Sequence, residues 1–374
     1  VESTVLKVLR FARHTRIFHQ VLTMILPFLL FNCHTNENSK TEAWKPTPLK
    51  WEKPANFPDP VYNLSKNPLT VEGVALGKTL FYDPVLSKTN QISCGSCHIQ
   101  KAAFSHQGQS FSLGIHGQLS KRNSPAIQNM AWNPVFFWDG GVHDLDFVPF
   151  NPVQNPVEMG ESVNNVITKI KKTRGKNSVN YPEMFKAAFG TNEINSIRMM
   201  KALSQFMVTM VSVDSPYDQY VAGNDNALNI DQKEGLVIFR KNCATCHAGE
   251  LFTNYSFKNN GLKPLKTDDT GRFDVTRLNK DKYKFKVPGL RNIGFTAPYM
   301  HDGRFKTLEE VMDHYSENVI KSETLDPILI QENGKTGIKL SKEEKKKVIA
   351  FLKSLDDEKF LINPTLAAPK VSAF

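Results

Sequence analysis

Apolar positions recur at helical spacing along most of the chain, and the two-residue alternation of half-buried strands is weak throughout. Val74, Leu76, Leu80 and Phe81 give the stretch 69–82 an apolar side, and Asp83-Pro84 closes it. The pattern predicts further helices over 163–172, over 182–189 with Gly190 as the stop, and over 193–213. In the last, Ile197, Met200, Leu203, Phe206, Met207 and Met210 form a methionine-rich stripe that reads as core. Asn229 or Asp231 starts a helix through Phe239. Thr307 with Glu310, and Ser341 with Glu344, are capping boxes ahead of two more. Between 98 and 134, Gly108, Gly114 and Gly117 break any periodicity, and loops are expected. Five prolines make 41–60 an extended strap, 216–229 reads as a polar break, and 361–374 as a loose tail. The expectation is a mainly α protein.

A chain of 374 residues accommodates two domains of ordinary size. Lys7, Arg10, Arg13 and Arg16 precede an apolar run over 21–31, which suits a secretory signal better than a spanning helix. The run ends in Leu29-Leu30-Phe31-Asn32-Cys33, similar to a bacterial lipoprotein box in which Cys33 becomes lipidated and tethers the protein to a membrane. A plain secreted protein and an uncleaved anchor are the alternatives. The expected organisation is a signal peptide over 1–33, a Pro-rich linker over 34–60, domains over 61–222 and 223–360, and a tail over 361–374. The net charge of +10 reads as solvated lysines, with an acidic redox partner as the functional alternative. Nucleic acid is not expected as a partner of an exported chain.

Four of the five cysteines lie in Cys94-Gly95-Ser96-Cys97-His98 and Cys243-Ala244-Thr245-Cys246-His247. C-x-x-C-H attaches a c-type haem: two thioethers hold the macrocycle and the adjoining histidine takes the iron. No further Cys-x-x-Cys pair exists to complete a zinc site. Two copies predict two c-type haems, one per domain. Haem attachment of this kind agrees with export to the periplasm or cell envelope.

Further segments resemble the bacterial di-haem cytochrome c peroxidase family, which includes MauG-like enzymes. They are Arg122-Asn123-Ser124-Pro125, Phe137-Trp138-Asp139-Gly140, the run from Pro152 to Met159, Leu290-Arg291-Asn292-Ile293, Thr296-Ala297-Pro298-Tyr299 and His301-Asp302-Gly303, in family order. The resemblance implies two cytochrome-c-like helical domains, a peroxidatic first haem and an electron-receiving second haem. It makes Glu158 the catalytic acid–base group and Trp138 the electron relay. Read alone, Glu158 is a helix-start carboxylate and Trp138 a buried anchor.

For a distal ligand on the first haem the resemblance offers His116, although the family position falls on Ile115; His106 and an open iron are the alternatives. The family glutamine of the peroxide pocket is replaced by Val148. On the second haem the family's axial methionine position holds Tyr315, as in MauG-like enzymes, with Met312 and His314 as alternatives. Asn123, Thr296 and Pro298 match a family calcium site, and His301 reads as structural. The implied activity is reduction of hydrogen peroxide with electrons from a small cytochrome c or copper protein. The alternatives are a MauG-like oxidase of a partner protein and a non-catalytic electron carrier; a homodimer is compatible with each.

Overall fold

Glycines at two helix crossings set the architecture. The helix Val71–Tyr82 crosses Ser196–Val208 so closely that a Cβ on Gly77 would lie 1.9 Å from the Ala202 carbonyl oxygen and 3.0 Å from Cβ of Phe206. The helix Ile230–Asn242 crosses Lys342–Lys353 in the same way: a Cβ on Gly235 would lie 1.9 Å from the Lys347 oxygen and 2.9 Å from Cβ of Phe351. Only a residue without a side chain lets the backbones approach this far. Each pair carries one C-x-x-C-H motif on the segment after its first helix, so the chain repeats one supersecondary unit.

The computed structural model describes residues 44–172, 179–265 and 269–369. The expected signal segment, Cys33 and the last residues of the tail lie outside the described residues. From Trp44 onward the chain is one unit with two main hydrophobic cores. The first gathers Leu76, Leu80, Phe81, Phe104, Trp132, Met199, Met200, Phe206, Met207 and Met210, so the methionine stripe is core, while Ile197 at its edge is 67% exposed. The second gathers Tyr217, Leu236, Phe239, Phe252, Leu308, Val348, Phe351 and Leu352. Among the described residues, sheet is limited to one antiparallel pair, Phe257–Lys258 with Phe285–Lys286.

The helix ends follow their capping chemistry. Thr70, Asn229, Thr307 and Ser341 each accept an N–H of the first turn through their side chains. Gly190 closes Tyr181–Phe189 in the left-handed conformation. Two expectations need correction. The polar break at 216–229 contains the helix Pro216–Val221, nucleated by a Ser215/Asp218 capping box and anchored by buried Tyr217. The tail is not loose over its described part: the helix Glu358–Ile362 packs Phe360 and Leu361 into the first core, and Leu366 is 2% exposed. The strap is non-helical as expected; Pro48 bridges Thr70, and Trp51 lies 5.7 Å from Trp132.

Replacing Gly235 with alanine forces apart the crossing under the second haem motif. Gly235→Ala is expected to cost about 1–3 kcal/mol, measured as a lowered urea midpoint of the haem-loaded protein.

Candidate haem sites

The two C-x-x-C-H segments end in the same hydrogen bond. Nδ1 of His98 lies 2.8 Å from the Phe104 carbonyl oxygen, and Nδ1 of His247 lies 3.0 Å from that of Phe252. A carbonyl only accepts, so Nδ1 carries the proton and Nε2 keeps its lone pair for a metal. Burial holds both imidazoles neutral: His98 is pushed down to about 4, and His247 is also lowered. Phe104 and Phe252 deliver these carbonyls from left-handed backbone, with φ of 57° and 53°, which is uncommon for a bulky residue.

The four motif cysteines are unpaired, and burial pushes Cys94 and Cys243 up to about 12. Beside the second motif lies a cavity of about 240 Å³, walled by Cys243, Cys246 and His247 and by the apolar Leu290, Ile293, Leu308, Val311 and Val348. Paired thiols, a neutral imidazole and an apolar slot are the donor set and surroundings that a c-type haem requires. The residues present fit the group.

Residues 71–226 match the di-haem cytochrome c peroxidase family. The chain is 35% identical to the methylamine utilization protein MauG of Methylorubrum extorquens, over 83% of this chain and 84% of that protein. The chain belongs to the di-haem cytochrome c peroxidase family. It is also 36% identical to cytochrome c551 peroxidase of Nitrosomonas europaea, over 77% of this chain and 81% of the relative. A crystal structure of a MauG-like protein associated with microbial copper homeostasis superposes with a TM-score of 0.76 at 30% identity, covering 86% of this chain and 99% of that one. The family is di-haem, and two c-type haems follow for this member.

Around the first motif of this di-haem protein, Glu158 is half-buried, and burial raises its carboxyl against the opposing hydrogen bond from Asn155. Burial raises the Cys97 thiol, and the charge of Glu158 adds to that rise. Its main chain is clamped: the Ile115 N–H donates to the Glu158 oxygen at 2.8 Å, and a Cβ on Gly114 would lie 2.0 Å from the Val157 oxygen. Ile115 is the buried residue of that turn and abuts Gly160, whereas His116 is exposed. His106 is half-buried, with Nδ1 2.6 Å from the Ser112 hydroxyl. Val148 packs against the first core.

Tyr315 and Met312 both line the second cavity. The Tyr315 hydroxyl accepts from Asn260 Nδ2 at 3.3 Å, and burial pushes the phenol up to about 12. His314 Nε2 is engaged by the Asn260 carbonyl at 3.0 Å. Trp138, from the first half, lines the same cavity; its indole N–H donates to the Asn123 oxygen at 2.9 Å, and its own carbonyl accepts from the Lys286 N–H of the second half at 2.7 Å. Asn123, Thr296 and Pro298 line it too; the Asn123 amide nitrogen donates to the Gln109 and Ser110 carbonyls, which leaves Oδ1 available for a cation. His301 stacks on Phe285 with centroids 3.7 Å apart, a packing role.

Several site residues escaped the sequence reading. Met300 lines the cavity, and its sulfur is 3.5 Å from Asn260 Nδ2. Lys286, on the same wall, is lowered to about 8 by burial and lies over the Tyr255 ring. Arg291 forms a bidentate pair with Asp218 at 2.7 and 2.8 Å and lies 4.7 Å from Phe57 and 5.9 Å from Phe252. The position of Arg291 in Leu290-Arg291-Asn292-Ile293 was the available signal; its acidic partner was not.

The Arg291–Asp218 pair is buried, with side chains 2% and 6% exposed. Arg291→Met strands the carboxylate and is expected to cost about 3–5 kcal/mol. Asp218 is lowered in the fold although burial alone would raise it, because Arg291 and Ser215 oppose burial. Its stabilisation is therefore present above the unfolded aspartate pKa of about 3.9 and is lost as pH falls through the lower folded value. Urea titrations across that acid range are expected to show the loss in the unaltered protein and its reduction in Arg291→Met.

Proposed function

We propose that the protein reduces hydrogen peroxide to water at the haem carried by Cys94, Cys97 and His98. Electrons come from a small redox protein by way of the haem carried by Cys243, Cys246 and His247. The observation that carries this reading is the half-buried Glu158 carboxyl, raised by burial and close enough to Cys97 to shift its thiol. When bound, the haems supply an iron that takes peroxide and a second centre that accepts and passes electrons.

The chain's own residues supply the proton chemistry and the route. A carboxyl raised toward the working pH both takes and returns a proton. Glu158 Oε accepts the peroxide proton and hands it to the departing oxygen, which leaves as water. Val148 offers no hydrogen bond, so Glu158 acts without the family glutamine. With His116 exposed and Ile115 buried, that turn offers no ligand, and a haem held by His98 would be open to peroxide on that side. Trp138, a first-half residue on the second cavity's wall whose carbonyl accepts from the Lys286 N–H, is the residue through which electrons cross. Asn123 Oδ1 with the Thr296 and Pro298 carbonyls would hold a calcium ion that fixes this junction. The basic-then-apolar segment before Cys33 supports a cell-envelope location.

A second reading is favoured by Tyr315. Burial opposes its ionisation, so a phenolate in that cavity needs a positive centre beside it, which the haem iron supplies. An anionic oxygen ligand favours the more oxidised metal. A second haem held this way stores oxidising equivalents, as required of an enzyme that uses peroxide to oxidise residues of a partner protein.

Glu158→Gln is expected to lower kcat for peroxide-dependent donor oxidation by about 10²–10⁴-fold. The acid limb of kcat/KM in the unaltered enzyme should lie above the ordinary glutamate pKa of about 4.3, because only the carboxylate accepts the proton, and should be absent in the variant. Stopped-flow oxidation of a reduced small cytochrome measures both, and an unchanged rate removes Glu158 from the reaction.

Tyr315→Met is expected to raise the second haem's midpoint potential and to abolish any phenolate-to-iron charge-transfer band. If the optical spectrum and potential are those of the unaltered protein, Tyr315 is not a ligand.

A further inference from the structure

The two repeats differ in what braces the phenylalanine beneath each proximal histidine. In the second, the Phe252 ring is held by Tyr217, Phe239 and Phe351 at centroid distances of 5.1, 5.9 and 6.0 Å, all from the same core. In the first, Phe81 is the counterpart of Phe239 and lies 6.1 Å from Phe104. The ring opposite is Phe360, at 5.7 Å and 62°. Phe360 comes from the far end of the chain, beyond the helix pair of the second haem.

The segment carrying Phe360 is fixed at both ends. At its root, the Gly294 N–H donates to Asp356 Oδ1 at 2.9 Å and the Asp357 N–H to Asn292 Oδ1 at 2.6 Å. These partners interleave with Arg291 and Ile293, which line the second cavity. At its far side, Gln100, two residues after His98, donates to the Asn363 carbonyl at 2.8 Å. The Tyr82 hydroxyl donates to that of Leu366, also at 2.8 Å. Tyr82 in turn covers Gly95 inside the first motif, where a Cβ would lie 2.5 Å from its ring. Phe360 itself is 3% exposed.

We propose that Phe360 is a positioning residue for His98, lent to the first haem site by the second half of the chain. Its ring holds Phe104 in left-handed backbone, and the Phe104 carbonyl holds the Nδ1 proton of His98. A firm Nδ1 hydrogen bond makes the imidazole a stronger donor to iron and stabilises the ferric state. Through Asp356 and Asp357 the same segment ties that bond to the wall of the second cavity. The inference rests on His98 as proximal ligand and is independent of which substrate is oxidised.

The experiment uses the full-length, haem-loaded protein with Phe360→Ala and the milder Phe360→Leu. Spectroelectrochemistry reads the two haem potentials separately, and resonance Raman reads the histidine–iron stretch of the reduced first haem. In Phe360→Ala the first haem's potential should rise and its histidine–iron band shift to lower frequency, with the second haem unmoved. Phe360→Leu should restore most of both. Adding Phe104→Leu to Phe360→Ala should shift the band less than the two single shifts combined, because both act through one contact. A lower Tm with the first haem's band and potential unmoved in both variants would overturn the proposal, as would equal shifts in the two haems. A first haem that keeps its histidine–iron band and potential in His98→Gly would remove the reading of His98, and this inference with it.

Discussion

The bond from each proximal imidazole to a phenylalanine carbonyl is the constraint on which the two haem sites depend. It decides the tautomer, frees Nε2, and keeps a buried ring neutral where a charged one would be expelled. The carbonyl points the right way only because Phe104 and Phe252 adopt positive φ, a conformation bulky residues avoid. Something must hold them there. Each is braced by an aromatic cluster that includes a ring from the crossing helices, Phe81 in the first half and Phe239 with Phe351 in the second, and those helices come this close only because Gly77 and Gly235 have no side chains. The helix crossing, the aromatic cluster, the left-handed phenylalanine and the ligand histidine form one causal chain, present twice.

Much of this was legible in the sequence, because the governing signals are local. C-x-x-C-H names its own chemistry, and the capping boxes at Thr307 and Ser341 mark helix starts through contacts three residues apart. Gly190 bounds its helix by the same short-range logic. What escaped depends on contacts between distant segments. The helix Pro216–Val221 is six residues of mixed polarity, and its stabilising partner for Asp218 is Arg291. The tail has no strong periodicity, and only the first core shows why Leu366 and Phe360 are buried. The turn around His116 shows the limit of residue type as a guide: the histidine invites a ligand role, yet its neighbour Ile115 is the residue that turns inward.

The two sites divide their chemistry by surroundings rather than by ligand type on the proximal side, where they are alike. Near the first motif burial raises the Glu158 carboxyl while Val148 packs on the first core, and the proposed reading concentrates proton transfer on Glu158. Near the second motif the cavity offers a phenol, two thioethers and a lysine, all buried enough that charge is unwelcome without a partner. A metal there meets side chains that stabilise different oxidation states, and the one that ligates sets the potential. Asn260 bonds to both the Tyr315 hydroxyl and the Met300 sulfur, so it sits between the two options.

Peroxidase and partner-oxidising readings then differ in energetics, not in parts. Both require peroxide at the first iron, a proton handled by Glu158, and electrons crossing near Trp138. They part at the second haem, where a thioether favours the reduced iron and so an electron held ready for the first haem, and a phenolate favours holding an oxidising equivalent until a partner arrives. The proximal bond at His98 bears on the same balance from the other side, because a stronger imidazole donor also favours the oxidised first iron. A structure that stiffens this bond with Phe360, from a segment rooted beside the second cavity, therefore has a physical means of setting the two potentials in relation to one another. That relation is what determines whether electrons run from the second haem to the first or oxidising power is shared between them.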